Sequence, residues 1–153
     1  MSPKLRLAAR AALTGLAFTS LTCLSVVAIA DDHAYTEGPV VNVSMIRTVD
    51  GHFDDYMKWI GTTWKAQQEA AKKAGYIVSY QVLAAEPHTP DEPDIVLVIT
   101  YQNWAALDGA LAKGDEIAKQ IEGSVSAANQ AQVERAKIRR VLGSSTMQVL
   151  QLK

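Results

Sequence analysis

Three histidines, a few polar residues set inside apolar runs, and three tryptophans are the side chains of this chain best suited to chemistry. Histidine titrates near neutral pH, so each one is a candidate acid, base or ligand. His52 follows Asp50-Gly51 at the start of a helical pattern, where a base or a turn-forming group would both fit. His88 lies in EPHTPDEPD, a stretch with three prolines and four acids, and reads as solvated. Neither has a second histidine or a cysteine at metal-ligand spacing, so the reading includes no internal zinc or iron site. His33 is different. If the chain is cut after Ala30, the new terminus is Asp31-Asp32-His33. A free amine, two backbone amides and an imidazole at the third position form a square-planar nitrogen set suited to Cu(II) or Ni(II). The ordinary reading of the same residues is a loose terminus that binds copper only in a test tube.

The polar residues Asn42, Ser44, Ser79 and Gln81 interrupt apolar stretches. If buried, they need partners. Trp59 and Trp64 fall on the apolar side of a helical pattern, and Trp104 begins another. Core packing is the plain explanation for aromatics at helical spacing. The functional one is a mostly apolar ligand pocket between helices and sheet, lined by Asn42, Ser44, Trp59, Trp64, Tyr80 and Gln81. Asp54-Asp55 reads as charge favourable to a helix start. There is no phosphate-binding glycine loop, no Ser-His-Asp set and no paired-carboxylate signature.

These residues must be positioned by something, and the order of elements is legible. In Val40–Val49, the residues Val41, Val43 and Met45 fall on one face and Asn42, Ser44, Ile46 and Thr48 on the other, which is a strand with one apolar and one mixed face. Asp50 or Gly51 can cap the helix that follows. Its stripe is Phe53, Met57, Ile60, Trp64, Gln67, Ala71 and Ala74, and Gly75 closes it. Tyr76–Ala85 is a second strand. Asp94–Tyr101 (DIVLVITY) is a third, apolar on both faces and therefore central. Asn103 caps a short helix carrying Trp104 to Leu111, which Gly114 interrupts. Helix formers fill 115–142, with a break near Gly123-Ser124, Arg139 and Arg140 in the last turn, and Gly143 as the stop. Ser145–Leu152 alternates as a fourth strand.

The order β-α-β-β-α-β predicts an α+β, ferredoxin-like domain with a four-stranded antiparallel sheet and helices on one face. Val96 and Val98 cannot lie under helices together with Ile95, Leu97 and Ile99. About half of that strand then faces outward, and the simplest cover is the same face of a second copy.

Residues 1–30 place this domain in a compartment. A basic start (Lys4, Arg6, Arg10), an uncharged apolar middle and Ala28-Ile29-Ala30 make up a secretory signal, so export to the periplasm or medium is expected. Domain limits are then 1–30 signal, 31–39 flexible lead-in and 40–153 folded domain. An uncleaved anchor is the alternative for the apolar run. Cys23 follows Thr22, a poor context for lipid attachment. Cleavage would remove that one cysteine, and with it three of the fifteen basic residues and none of the sixteen acids, leaving a net charge of −4. A mildly acidic exported domain argues against nucleic acid and against an anionic membrane surface as partners.

The element order, the VVNVSMIRTVDG entry, a long first helix with Trp59 and Trp64, and Asn103-Trp104 after the central strand together resemble the dimeric α+β barrel superfamily. In that superfamily, two ferredoxin-like subunits press their sheets together. The resemblance implies a homodimer, and it spans cofactor-free monooxygenases, haem-degrading enzymes, lactone isomerases and proteins without known activity. Neither main helix has a histidine in its interior to hold haem, so no cofactor is expected. Three functions follow as expectations: binding of a small apolar or aromatic ligand, cofactor-independent oxygenase or isomerase chemistry, and a non-catalytic structural or stress-related role.

Overall fold

A computed structural model describes residues 33–153. The proposed signal and the pair Asp31-Asp32 lie outside the described residues. The chain runs β1 (Tyr35–Thr48), α1 (Phe53–Trp59), a π-helical turn (Ile60–Trp64), α2 (Lys65–Lys73), β2 (Ser79–Ala84) and β3 (Ile95–Tyr101). A 3₁₀ turn (Trp104–Leu107), α3 (Ala110–Glu122), α4 (Val125–Arg135) and β4 (Arg139–Leu152) complete it. The sheet order is β2-β3-β1-β4 with every pairing antiparallel, the split βαβ arrangement of a ferredoxin-like fold.

The outer strand β4 pairs along the whole of β1, from Tyr35 opposite Leu152 to Thr48 opposite Arg139. Both strands are therefore longer than alternation alone predicts. Residues 35–39 belong to β1 and not to a loose lead-in, because the far end of β4 gives their backbone groups partners. Arg139 and Arg140 open β4 and do not end a helix. Gly143 lies within the strand opposite Met45, next to a register shift, and stops nothing. Gly38 marks the other shift. A Cβ there would stand 2.9 Å from the carbonyl oxygen of Val149, so only glycine lets the two strands approach this closely.

The core forms where Ile46, Ile95 and Leu97 of the sheet meet Tyr56, Ile60 and Trp64 of the first helical rod. The mixed face of β1 is thus the one under helices. Its apolar face, Val41, Val43 and Met45, turns away from them. Register places those three opposite Thr100, Val98 and Val96 on one side and Met147, Ser145 and Gly143 on the other. Leu83 continues the same face beyond Val96, and both Leu83 and Met147 are 47% exposed.

The first rod departs from a plain helix. His52, not Asp50 or Gly51, is the residue before its first turn, and it makes no capping side-chain bond to the backbone. Its Nδ1 instead meets Asp55 Oδ2 at 2.8 Å. The rod ends as expected at Gly75, φ +76°, with Tyr76 N donating to Ala71 O at 2.9 Å across the reversed residue. Gly114 does not break α3, because it lies mid-helix with no bulk required of it. The break falls at Gly123, φ +81°. Ser124 then caps α4, its Oγ accepting from Ala127 N at 3.0 Å. Asn103 does the same for the 3₁₀ turn, Oδ1 accepting from Ala106 N at 3.1 Å.

Candidate functional site

The residues predicted to form a pocket do not all come together: Trp59, Trp64 and Tyr80 join one core cluster, and Asn42, Ser44 and Gln81 lie elsewhere. Tyr80 and Gln81 are consecutive in β2 and project to opposite faces. Tyr80 packs edge-on against Trp64 under the helices, ring centroids 5.3 Å apart, and its hydroxyl bonds to Glu69. That bond holds the Tyr80 phenol above its ordinary pKa. Gln81 pairs with Val98 on the face away from the helices, so the sheet stands between it and the others. Asn42 and Ser44 sit on the helix side, but their partners are each other and β4. Asn42 Nδ2 donates to Thr146 Oγ1 at 2.9 Å and Ser144 Oγ at 3.2 Å, and Ser44 Oγ lies 3.2 Å from Ser144 Oγ. This self-satisfied cluster answers the sequence's question about partners without a ligand.

Trp59 is set differently. The π-helical turn after it adds one residue to the rod and re-aims everything upstream relative to Trp64. Trp64 then enters the core, whereas Trp59 stacks on Tyr56 at 5.4 Å and receives the Arg135 guanidinium over its ring at 4.3 Å. Arg139 lies over the Tyr56 ring at 5.5 Å. The four side chains link the first rod to the end of α4 and the start of β4. Tyr56 is 1% exposed, and its burial pushes the phenol pKa upward against the pull of Arg139 and Arg135. Burial likewise lowers the pKa of Arg135, with Glu122 opposing the shift. The Nε atoms of Arg135 and Arg139 and the Nε1 of Trp59 are buried and have no hydrogen-bond partner among the described residues.

Arg135 also borders the cavity that sequence reasoning missed. A space of about 350 Å³ opens between α2, α3 and α4, floored by Tyr101 at the end of β3 and by Ile77. Its room comes from small side chains: Ala71 on α2, Ala110, Gly114 and Ala118 on α3, and Ala128 on α4. Polar groups ring it. Gln67 Nε2 donates to Glu122 Oε1 at 2.5 Å, and Glu122 Oε2 stands 3.9 Å from Arg135 Nη1. Lys113 Nζ donates to Ala106 O at 2.9 Å and lies 5.4 Å above the Tyr76 ring. The Tyr76 hydroxyl donates to Glu116 Oε2 at 2.7 Å, which raises its pKa. A sequence signal for this space did exist. Ala110, Gly114 and Ala118 recur at four-residue steps on one face of α3.

None of the histidines lines this cavity. His52 is engaged with Asp55, and the backbone N–H of His88 donates to Glu92 Oε2 at 2.5 Å. His33 stacks on Tyr35 with ring centroids 5.4 Å apart, and the Asp31-Asp32 part of its candidate copper or nickel site lies outside the described residues. Among the described residues, no three His, Cys, Asp or Glu side chains converge on a metal position. No helix among them is long and apolar enough to cross a membrane.

Sheet order and one-sided helical cover define the class: a ferredoxin-like α+β protein, the subunit fold that the superfamily resemblance implies. No protein-family model matches the chain, and no curated protein matches it. Among solved structures, the chain is similar to HapK from Hahella chejuensis at 16% identity and a TM-score of 0.48, over 71% of this chain and 90% of that one. It is also similar to a dimeric ferredoxin-like protein from an uncultured marine organism at 10% identity and a TM-score of 0.48, over 75% of this chain and 97% of that one. At such identities, no ligand or activity passes from either protein to this chain.

Proposed function

We propose that this chain is an exported homodimer whose subunits each bind one small, largely apolar or aromatic molecule in the cavity between α2, α3 and α4. The observation that carries the binding role is the cavity itself. It falls at the low end of the roughly 300–1,000 Å³ typical of small-molecule sites. Alanine and glycine keep it open, aromatic rings of Tyr76 and Tyr101 contribute to its wall, and a few amides and charges are available to orient a ligand. The apolar face of the sheet supports the dimer, and the composition of residues 1–30 supports export.

Protein isolated from its own source tests these points together. Its amino terminus should read Asp31, and denaturation should release a small molecule detectable by mass spectrometry. A chain that emerges empty and binds no aromatic probe would overturn the binding role. An intact Met1 would overturn export by cleavage.

A further inference from the structure

Among the described residues, three charged side chains line the cavity: Lys113, Glu122 and Arg135. Their sum is one positive charge, in a chain whose net charge is −1. Glu116 is not part of the wall, and its carboxylate is already engaged by the Tyr76 hydroxyl. Glu122, the one wall carboxylate, is shared. One oxygen takes the Gln67 amide, and the other reaches Arg135 only at 3.9 Å, beyond hydrogen-bond distance. The Arg135 side chain is 13% exposed, and no hydrogen bond holds its guanidinium among the described residues. A buried guanidinium has five N–H donors and loses free energy for each left unpaired. Arg139, outside the wall, adds the field of a second cation to Arg135. Lys113 uses one of its three donors on the Ala106 carbonyl. The wall therefore carries one excess positive charge and a guanidinium with no hydrogen-bonded carboxylate.

We infer that the cavity's ligand is a monoanion, a compact aromatic or aliphatic body carrying one acidic group that pairs with Arg135 and faces Lys113. This rests on the cavity being a binding site at all, and it adds the charge of the ligand. A carboxylate or sulfonate offers planar or forked acceptors that match the guanidinium two at a time, which a neutral ligand cannot do.

Two dyes with the same aromatic body separate the inference from its foundation. 1-Anilinonaphthalene-8-sulfonate is a monoanion, and N-phenyl-1-naphthylamine is its neutral counterpart. Fluorescence titration of the full chain should give the anion at least tenfold tighter binding. Arg135→Met should remove that advantage and leave the neutral dye's Kd unchanged. If Arg135→Met fails to fold, Lys113→Met should show the same selective loss, because that side chain is tied only to one carbonyl and one ring face. Glu122→Gln raises the wall charge by one and should tighten the anion severalfold, a gain that structural damage would not produce. Equal binding of both dyes, unmoved by these variants, overturns the monoanion and leaves the cavity standing. Gly114→Leu fills open space in the wall and should abolish the binding of both dyes. If both still bind to it, the cavity is not the site and both readings fall.

Discussion

At the scale of single residues, Asp94 ties two strands together. Both of its carboxylate oxygens accept from Thr48 N, at 3.0 and 3.1 Å, and one also accepts from the Thr48 hydroxyl. Asp94 N donates to Ile46 O at 3.0 Å, so one residue ties the entry of β3 to the end of β1. Thr48 is buried, 7% exposed. Asp94→Ala would strand both of its donors away from water and should cost about 2–3 kcal/mol, read as a lower urea midpoint at unchanged slope. Tyr56 contributes to the behaviour in alkali. Its phenol is harder to ionise in the folded chain than in the unfolded one. The stabilisation from this difference is complete below the unfolded value near 10 and is lost as pH rises from there through the higher folded value. Tyr56→Phe should therefore flatten the fall in stability above pH ~10. An unchanged fall would assign it to other groups, such as Tyr101, which burial also raises.

At the scale of elements, the π-helical turn decides what the first helical rod presents. Deleting Gly61, whose missing side chain faces open space, would restore ordinary helical spacing. It would also swing α1 by about 100° relative to α2. Tyr56 and Trp59 would leave their partners together, so the deletion should cost at least about 3 kcal/mol in chemical denaturation. A neutral or stabilising deletion would show that the extra residue is not what aims Trp59. This turn was invisible in the sequence. Ile60-Gly61-Thr62-Thr63-Trp64 satisfies an apolar stripe of either pitch, and only packing chooses between them. Strand order was legible, because DIVLVITY must be central and the stripe ending at Gly75 must be a helix. The lengths of β1 and β4 were not, since each is extended by pairing with the other across more than ninety residues of sequence. The cavity escaped for a related reason. It is made of side chains that are small, and reading Gly114 as a break split the α3 face that Ala110, Gly114 and Ala118 share. The proposed pairing of Tyr80 with Gln81 in one pocket conflicted with the two-residue period of a strand, so alternation alone contained the correction.

At the scale of the whole molecule, the sheet has two faces with different tasks. One carries the helices, the core and the cavity. The other gathers Val41, Val43, Met45, Val96, Val98, Leu83 and Met147 with no helix over them. Leaving such a face in water costs roughly 25 cal/mol for each Å² of apolar surface. An apolar patch of this kind suits a two-fold interface, where each residue is buried twice. Val98 lies in a central strand of this face, paired with Val43 on one side and Gln81 on the other. If two copies pair through this face as proposed, Val98→Lys places two ammonium groups inside the interface and should leave a monomer, whereas the unaltered chain should scatter light with twice the chain mass. A stable monomer of the unaltered chain at micromolar concentration would refute the dimer. The substitution also separates assembly from binding. Because the cavity lies on the helix side, Val98→Lys should leave the affinity for an aromatic anion unchanged while the mass halves. If affinity falls with the mass, the partner subunit reaches the site around the sheet, and the two faces are not independent.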